Sequence, residues 1–167
     1  MLGVRGIPLA GIAWSFGVIA LILTPGLMAP PAPIQGTSNQ DPLSLSIAVL
    51  KESDIFNSSA VGVAGVTPNE VLAWRVVFNS PNRDEVFQDI LASGSVPAQL
   101  YALAGLWFGD AQPFVSGTRI MRSQHGLVRT MRGCIVSTER VSDVVREIQL
   151  GSWSREFLAA GRLVPVH

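Results

Sequence analysis

From residue 6 to residue 40 the chain carries no charged side chain, a run bounded by Arg5 and Asp41. Few features restrict a chain more, because the apolar part of such a run has to be withdrawn from water, in a core or in lipid. Its apolar part, Gly6 to Leu23, includes Ile12, Trp14, Phe16, Val18 and Ile19, and a helix needs about 20 such residues to cross the hydrocarbon layer. Pro8 and the glycines of the run are costly in a soluble helix and commoner in spanning ones. The expectation is an N-terminal hydrophobic helix over residues 1 to 28 that acts as a signal anchor, entering the membrane through residues 6 to 23.

A cleaved secretory signal peptide is the alternative. Such signals have an apolar region of about 7 to 15 residues and end in small residues at Ala-x-Ala positions. Here a site ending at Ala29 has Leu27 where a small residue is wanted and Pro30 directly after it, and Thr24-Pro25-Gly26 is interrupted by proline. These sequences favour a retained, single-pass anchor over a secreted form. Basic residues near a span stay in the cytoplasm, and Arg5 precedes the span whereas the next base is Lys51. The C-terminal bulk is therefore expected outside the cytoplasm.

Residues 29 to 40, with Pro30, Pro31 and Pro33 followed by Gly36-Thr37-Ser38-Asn39-Gln40, read as a linker. Residues 41 to 167 then make one domain, long enough to bury about two thirds of its unfolded surface. Cys134 is the one cysteine, so no internal disulfide framework supports that domain.

Helix starts punctuate the domain. Thr67-Pro68-Asn69-Glu70 has the form of a capping box, followed by Val71, Trp74, Val77 and Phe78 on one face. Ser80-Pro81 is expected to open the next helix, with Asp84 and Glu85 in its first turn and Gly94 as its stop. Ser95 and Pro97 open a helix in which Gln99 is the one clearly polar position before Phe108; a helix apolar all round is buried all round. Asp110 caps a further helix reaching Met121. The four caps recur at nearly even spacing and look like helical hairpins with HEAT-like packing, an architectural likeness confined to residues 67 to 122 that implies no activity. Asp41-Pro42 suits a first helix, although Leu43, Leu45, Ile47 and Val49 also alternate as a strand would. Leu127 to Val136 alternates and reads as a strand, with Ala60 to Val66 as its partner in a small two-stranded element. Helices starting near Ser137 and over Trp153 to Leu158, closed by Gly151 and Gly161, complete a mainly α domain.

Chemistry is harder to find. Cys134 with His125, the internal histidine, is a conceivable thiol-dependent pair, but neither sits in a family signature, and an apolar neighbourhood such as Ile135-Val136 raises a thiol's pKa. One thiol and two histidines, His125 and His167, fall short of a closed zinc site. No serine stands at the centre of Gly-x-Ser-x-Gly, and Ala48 occupies the position three before Lys51 where a Ser-x-x-Lys nucleophile would be. Gly62 and Gly65 lack the third glycine or the lysine of a phosphate loop. No cofactor is expected.

Charge distribution is the feature that rises above this background. Net charge is zero, yet residues 41 to 110 hold eight acids and three bases while residues 111 to 167 hold four acids and eight bases. Arg119, Arg122, Arg129 and Arg132 follow one another with His125 among them and no acid between. Guanidinium forks bind carboxylate and phosphate bidentately, so these four arginines are the candidate binding residues, against the plainer reading that they pair with the acidic half. A neutral chain outside the cytoplasm does not suit nucleic acid. The function expected is a noncatalytic protein-interaction or anion-binding module whose partner is an acidic protein or anionic lipid headgroups, with a thiol-dependent enzyme using Cys134 and His125 as the alternative.

Overall fold

The computed structural model of the chain describes residues 41–159. The N-terminal apolar run, the linker and Gly161 lie outside these residues. Among the described residues there are seven helices and three strands in the order α1 (Pro42–Lys51), β1 (Phe56–Val61), α2 (Asn69–Phe78), α3 (Arg83–Ser93), α4 (Val96–Leu106), α5 (Ala111–Arg122), β2 (Leu127–Gly133), β3 (Ile135–Arg140), α6 (Val141–Gln149) and α7 (Ser152–Ala159). No helix among them is long and apolar enough to cross a membrane.

Helix α4 is the centre of the domain, as its all-round apolar composition predicts. Ser95 caps it by accepting from the Ala98 amide at 3.3 Å while its hydroxyl donates to the Ser53 carbonyl at 2.5 Å. All residues from Leu100 to Leu106 are buried. Gly105 lets α3 approach closely, because a Cβ there would lie 2.3 Å from the Phe87 ring. Around α4 gathers an aromatic core in which Phe56 lies 4.7 Å from Tyr101 and 4.4 Å from Trp153, and Trp74 stacks on Phe78 at 4.8 Å. Each such ring buries a large apolar area and prefers these offset or edge contacts.

For α1 the cap decides against the strand-like alternation: Asp41 accepts from the Leu43 amide at 3.3 Å, and Pro42 fills the first helical position. Other starts differ from expectation. The capping box at Thr67 does not form; α2 begins after Pro68, and Glu70 instead accepts from the Asn57 side chain at 3.2 Å. Ser80 ends α2 rather than opening α3, donating its hydroxyl to the Val77 carbonyl at 2.7 Å, and α3 starts after Asn82. Asp110 occupies the cap position of α5 without a side-chain cap bond.

The sheet departs furthest from the sequence reading. It has three strands in the order β1-β2-β3, with β1 parallel to β2 and β2 antiparallel to β3. Two corrections follow. Ala60 to Val66 is not a strand but the end of β1 and a tight reversal: Gly62 and Gly65 take φ of 72° and 62°, and Val61 and Val66 exchange both backbone bonds at 2.9 Å. Leu127 to Val136 is not one strand either, because Gly133, at φ 56°, turns the chain so that Arg132 pairs with Ile135. A positive φ at the first of two loop residues only is the pattern of a type II′ hairpin. Helix α6 consequently starts at Val141 rather than near Ser137, residues 137 to 140 being spent on β3.

Strand β1 buries polar residues, Asn57, Ser58 and Ser59. Its amides that face away from β2 are nonetheless bonded. That of Asn57 donates to the Tyr101 hydroxyl at 2.8 Å, that of Ser59 to Glu156 Oε1 at 3.0 Å, and that of Val61 to the Val66 carbonyl at 2.9 Å. Burial, the dominant effect, pushes the Tyr101 phenol well above its ordinary value.

Candidate functional site

The β2–β3 hairpin organises the surface. At one end β2 begins and β3 ends; Leu127 pairs with Arg140, and the Val141 amide donates to the Gly126 carbonyl at 3.1 Å. At the other end is the Gly133-Cys134 turn. The two ends are separated by the length of β2, about 20 Å for seven residues at about 3.3 Å each.

The first end holds an open cleft of about 440 Å³ lined by Gln124, His125, Leu127, Arg140 and Ser142. Gln124 is held there by donating to the Gln99 side chain at 3.3 Å. The last turn of α5, which runs into Gln124, carries Arg119 and Arg122, both exposed. Among the described residues, Arg119, Arg122, His125 and Arg140 have no carboxylate within 4.0 Å, whereas Asp143, in the first turn of α6, pairs with Arg146 at 3.5 Å. What the arrangement offers chemically is a set of cationic and neutral hydrogen-bond donors on an open surface, which suits an anion.

The four arginines read from the sequence therefore divide. Arg129 lies 3.6 Å from Asp54, with both side chains mostly exposed, an arrangement worth at most about 1 kcal/mol. Arg132 is more firmly engaged. It pairs with Glu147, and its guanidinium sits 4.1 Å from the centroid of the Trp153 ring, whose own Nε1 donates to Glu147 at 2.9 Å. That three-residue stack fastens the hairpin to α6 and α7. Arg119 and Arg122 stay on the solvent side of α5, and Arg140 joins their end of the molecule through the strand register.

Arg140, Gln124 and Ser142 escaped the sequence reading. A linear window from Arg119 to Arg132 stops before Arg140, and only the turn at Gly133 folds Arg140 back beside Leu127. The signal was the glycine within an alternating run, which marks a possible turn.

Cys134 and His125 are not brought together, since β2 lies between them. Cys134 is exposed in the hairpin turn, and His125 lines the cleft at the far end. Among the described residues no group of three or more His, Cys, Asp or Glu side chains is placed to hold a metal ion. The chain matches no protein-family model, no curated protein and no solved structure in the comparisons made with each.

Proposed function

We propose that the domain is a noncatalytic interaction module, held outside the cytoplasm by a single-pass N-terminal anchor, that docks an anionic surface at the cleft end of its hairpin. The observation that carries the reading is the sharing of one end of the molecule by Arg119, Arg122, His125 and Arg140, none with a carboxylate partner among the described residues. Arg129 and Arg132 belong to the same proposed basic surface at its edge, with part of their charge taken up by Asp54 and Glu147. The ligand class is carboxylate-rich protein or phosphate-bearing headgroup, both of which guanidinium groups recognise by paired hydrogen bonds. The helices over residues 67 to 122, α2 to α5, are read as HEAT-like hairpins that scaffold this surface. Support for the anchor comes from the uncharged run and its apolar part.

The test is a pull-down of the full chain from a carbonate-washed membrane fraction, comparing the native protein with an Arg122→Gln, Arg140→Gln double variant. The native chain is expected to retain a salt-sensitive partner that the variant loses, because screening acts on exposed charge pairs. An unchanged set of partners would leave these arginines as solvated surface, and recovery of the chain in the wash would count against the anchor.

A further inference from the structure

The end of the hairpin opposite the cleft gathers exposed aliphatic side chains beside the Arg132–Glu147 pair, and it is built from two turns rather than one. Val61 is in register with Gly133, and the Gly62 amide donates to the Gly133 carbonyl at 2.9 Å, so the Val61–Val66 reversal and the Gly133-Cys134 turn stand side by side. Their side chains face water: Val63 is 100% exposed, Val66 61%, Ile135 69% and Val136 53%. No charged residue lies between Val61 and Val66 or between Gly133 and Val136. Each turn depends on glycine at positive φ, Gly62 and Gly65 in one and Gly133 in the other. Exposed apolar residues gathered in this way are a feature of binding surfaces rather than of ordinary solvent-facing turns.

We infer that these paired tips seat in the surface layer of the membrane that the chain's own apolar run enters, an inference that rests on the anchoring reading above. The occupant is chosen by connectivity and shape. Residues 24 to 40 are all that lies between the apolar run and Asp41, and covalent geometry caps their reach at about 60 Å even when fully extended. A tether of that length keeps the domain within reach of the bilayer, and tethering makes even a small apolar contribution effective. Turns standing proud of the fold fit between lipid headgroups, whereas a protein partner for them would need a matching concavity. Seating the tips turns the cleft, about 20 Å along β2, away from the lipid. The anion recognised there is then an acidic protein surface rather than the headgroups of the same membrane.

Cys134 makes this testable, being the one thiol of the chain and exposed in the tip. The full chain is reconstituted into neutral phosphatidylcholine vesicles, where arginine attraction to lipid charge plays no part, and the rate of Cys134 modification by a membrane-impermeant, charged maleimide is measured. A Val63→Ser, Ile135→Ser double variant is expected to react about tenfold faster than the native chain, because the two changes remove apolar area that would be withdrawn from water. Both chains should react equally in denaturant, and Val63→Ser alone, which leaves the sequence neighbours of Cys134 intact, should go part of the way. Equal rates in vesicles with both chains co-floating would leave the tips in water and overturn the inference while the anchor stands. Failure of the native chain to float with the vesicles would overturn both.

Discussion

The two ends of the β2–β3 hairpin share one strand and differ in nearly everything else. At the cleft end Arg140 lines an open space with Gln124, His125, Leu127 and Ser142, and α6 packs on both α5 and β3. At the tip end side chains are aliphatic, the turns are glycine-dependent, and Arg132 is bound to Glu147 and Trp153 rather than left for a ligand. The contrast teaches that arginines close in sequence can differ in how fully the fold engages them. Among the described residues Arg119 and Arg122 on α5 have no carboxylate within 4.0 Å, Arg129 reaches Asp54 loosely, and Arg132 on the same strand is held by Glu147 and Trp153.

The most severe way to break the comparison is to remove the core from which both ends hang. Leu103→Asp should unfold the domain, placing an unpaired charge at a position of zero exposure in α4; a loss beyond about 4 kcal/mol is expected. Denaturant melts would show no cooperative transition, and both pull-down and thiol protection would vanish together.

Next comes Tyr101, the one tyrosine of the chain and the link between α4 and β1. Tyr101→Phe leaves the Asn57 amide without its acceptor, a loss of about 1 to 3 kcal/mol. The pH dependence follows from burial. In the fold the phenol's pKa is raised, so it stays neutral where the unfolded chain ionises it, near pH 10. Its contribution is therefore fully present below that value and falls by up to about 1.4 kcal/mol per pH unit above it. Phenolate absorbance should appear only with unfolding in the native protein, and the alkaline fall in stability should be shallower in the phenylalanine variant.

A smaller effect sharpens the division of the arginines. Arg132→Gln should cost about 1 kcal/mol, since it removes a half-exposed ion pair and a cation–π contact, whereas Arg122→Gln should stay within about 0.5 kcal/mol. Thermal melts of the two variants settle this. Equal effects would mean that Arg132 is as free as Arg122 and that the two ends differ less than their contacts imply.

Helix α4 was legible from its residues because a fully buried helix announces itself by composition. The sheet was not, and the reason is specific. β1 buries Asn57, Ser58 and Ser59, which no hydrophobic pattern marks as interior, and the partners of Asn57 and Ser59, namely Tyr101, Glu70 and Glu156, come from three separate helices. The apolar run that did look like a strand, Ala60 to Val66, supplies only the end of β1 and then the exposed reversal. Of the candidate site, the arginines of α5 were readable from charge alone. The cleft was not, since Arg140 reaches it across a turn that a lone Gly133 only suggests.

The bonded outer amides of β1 also decide how the sheet meets other chains. A strand edge with free amides is a template on which a further strand can pair, in recognition or in aggregation. On β1 the Tyr101 hydroxyl, the Glu156 carboxylate and the Val66 carbonyl already occupy those positions. Growth of the sheet is thereby directed to its other edge at β3, where Glu139 and Arg140 place charges of both signs. The domain is one-sided toward strand addition: closed where its polar strand is buried, and guarded only by charge where its hairpin is exposed.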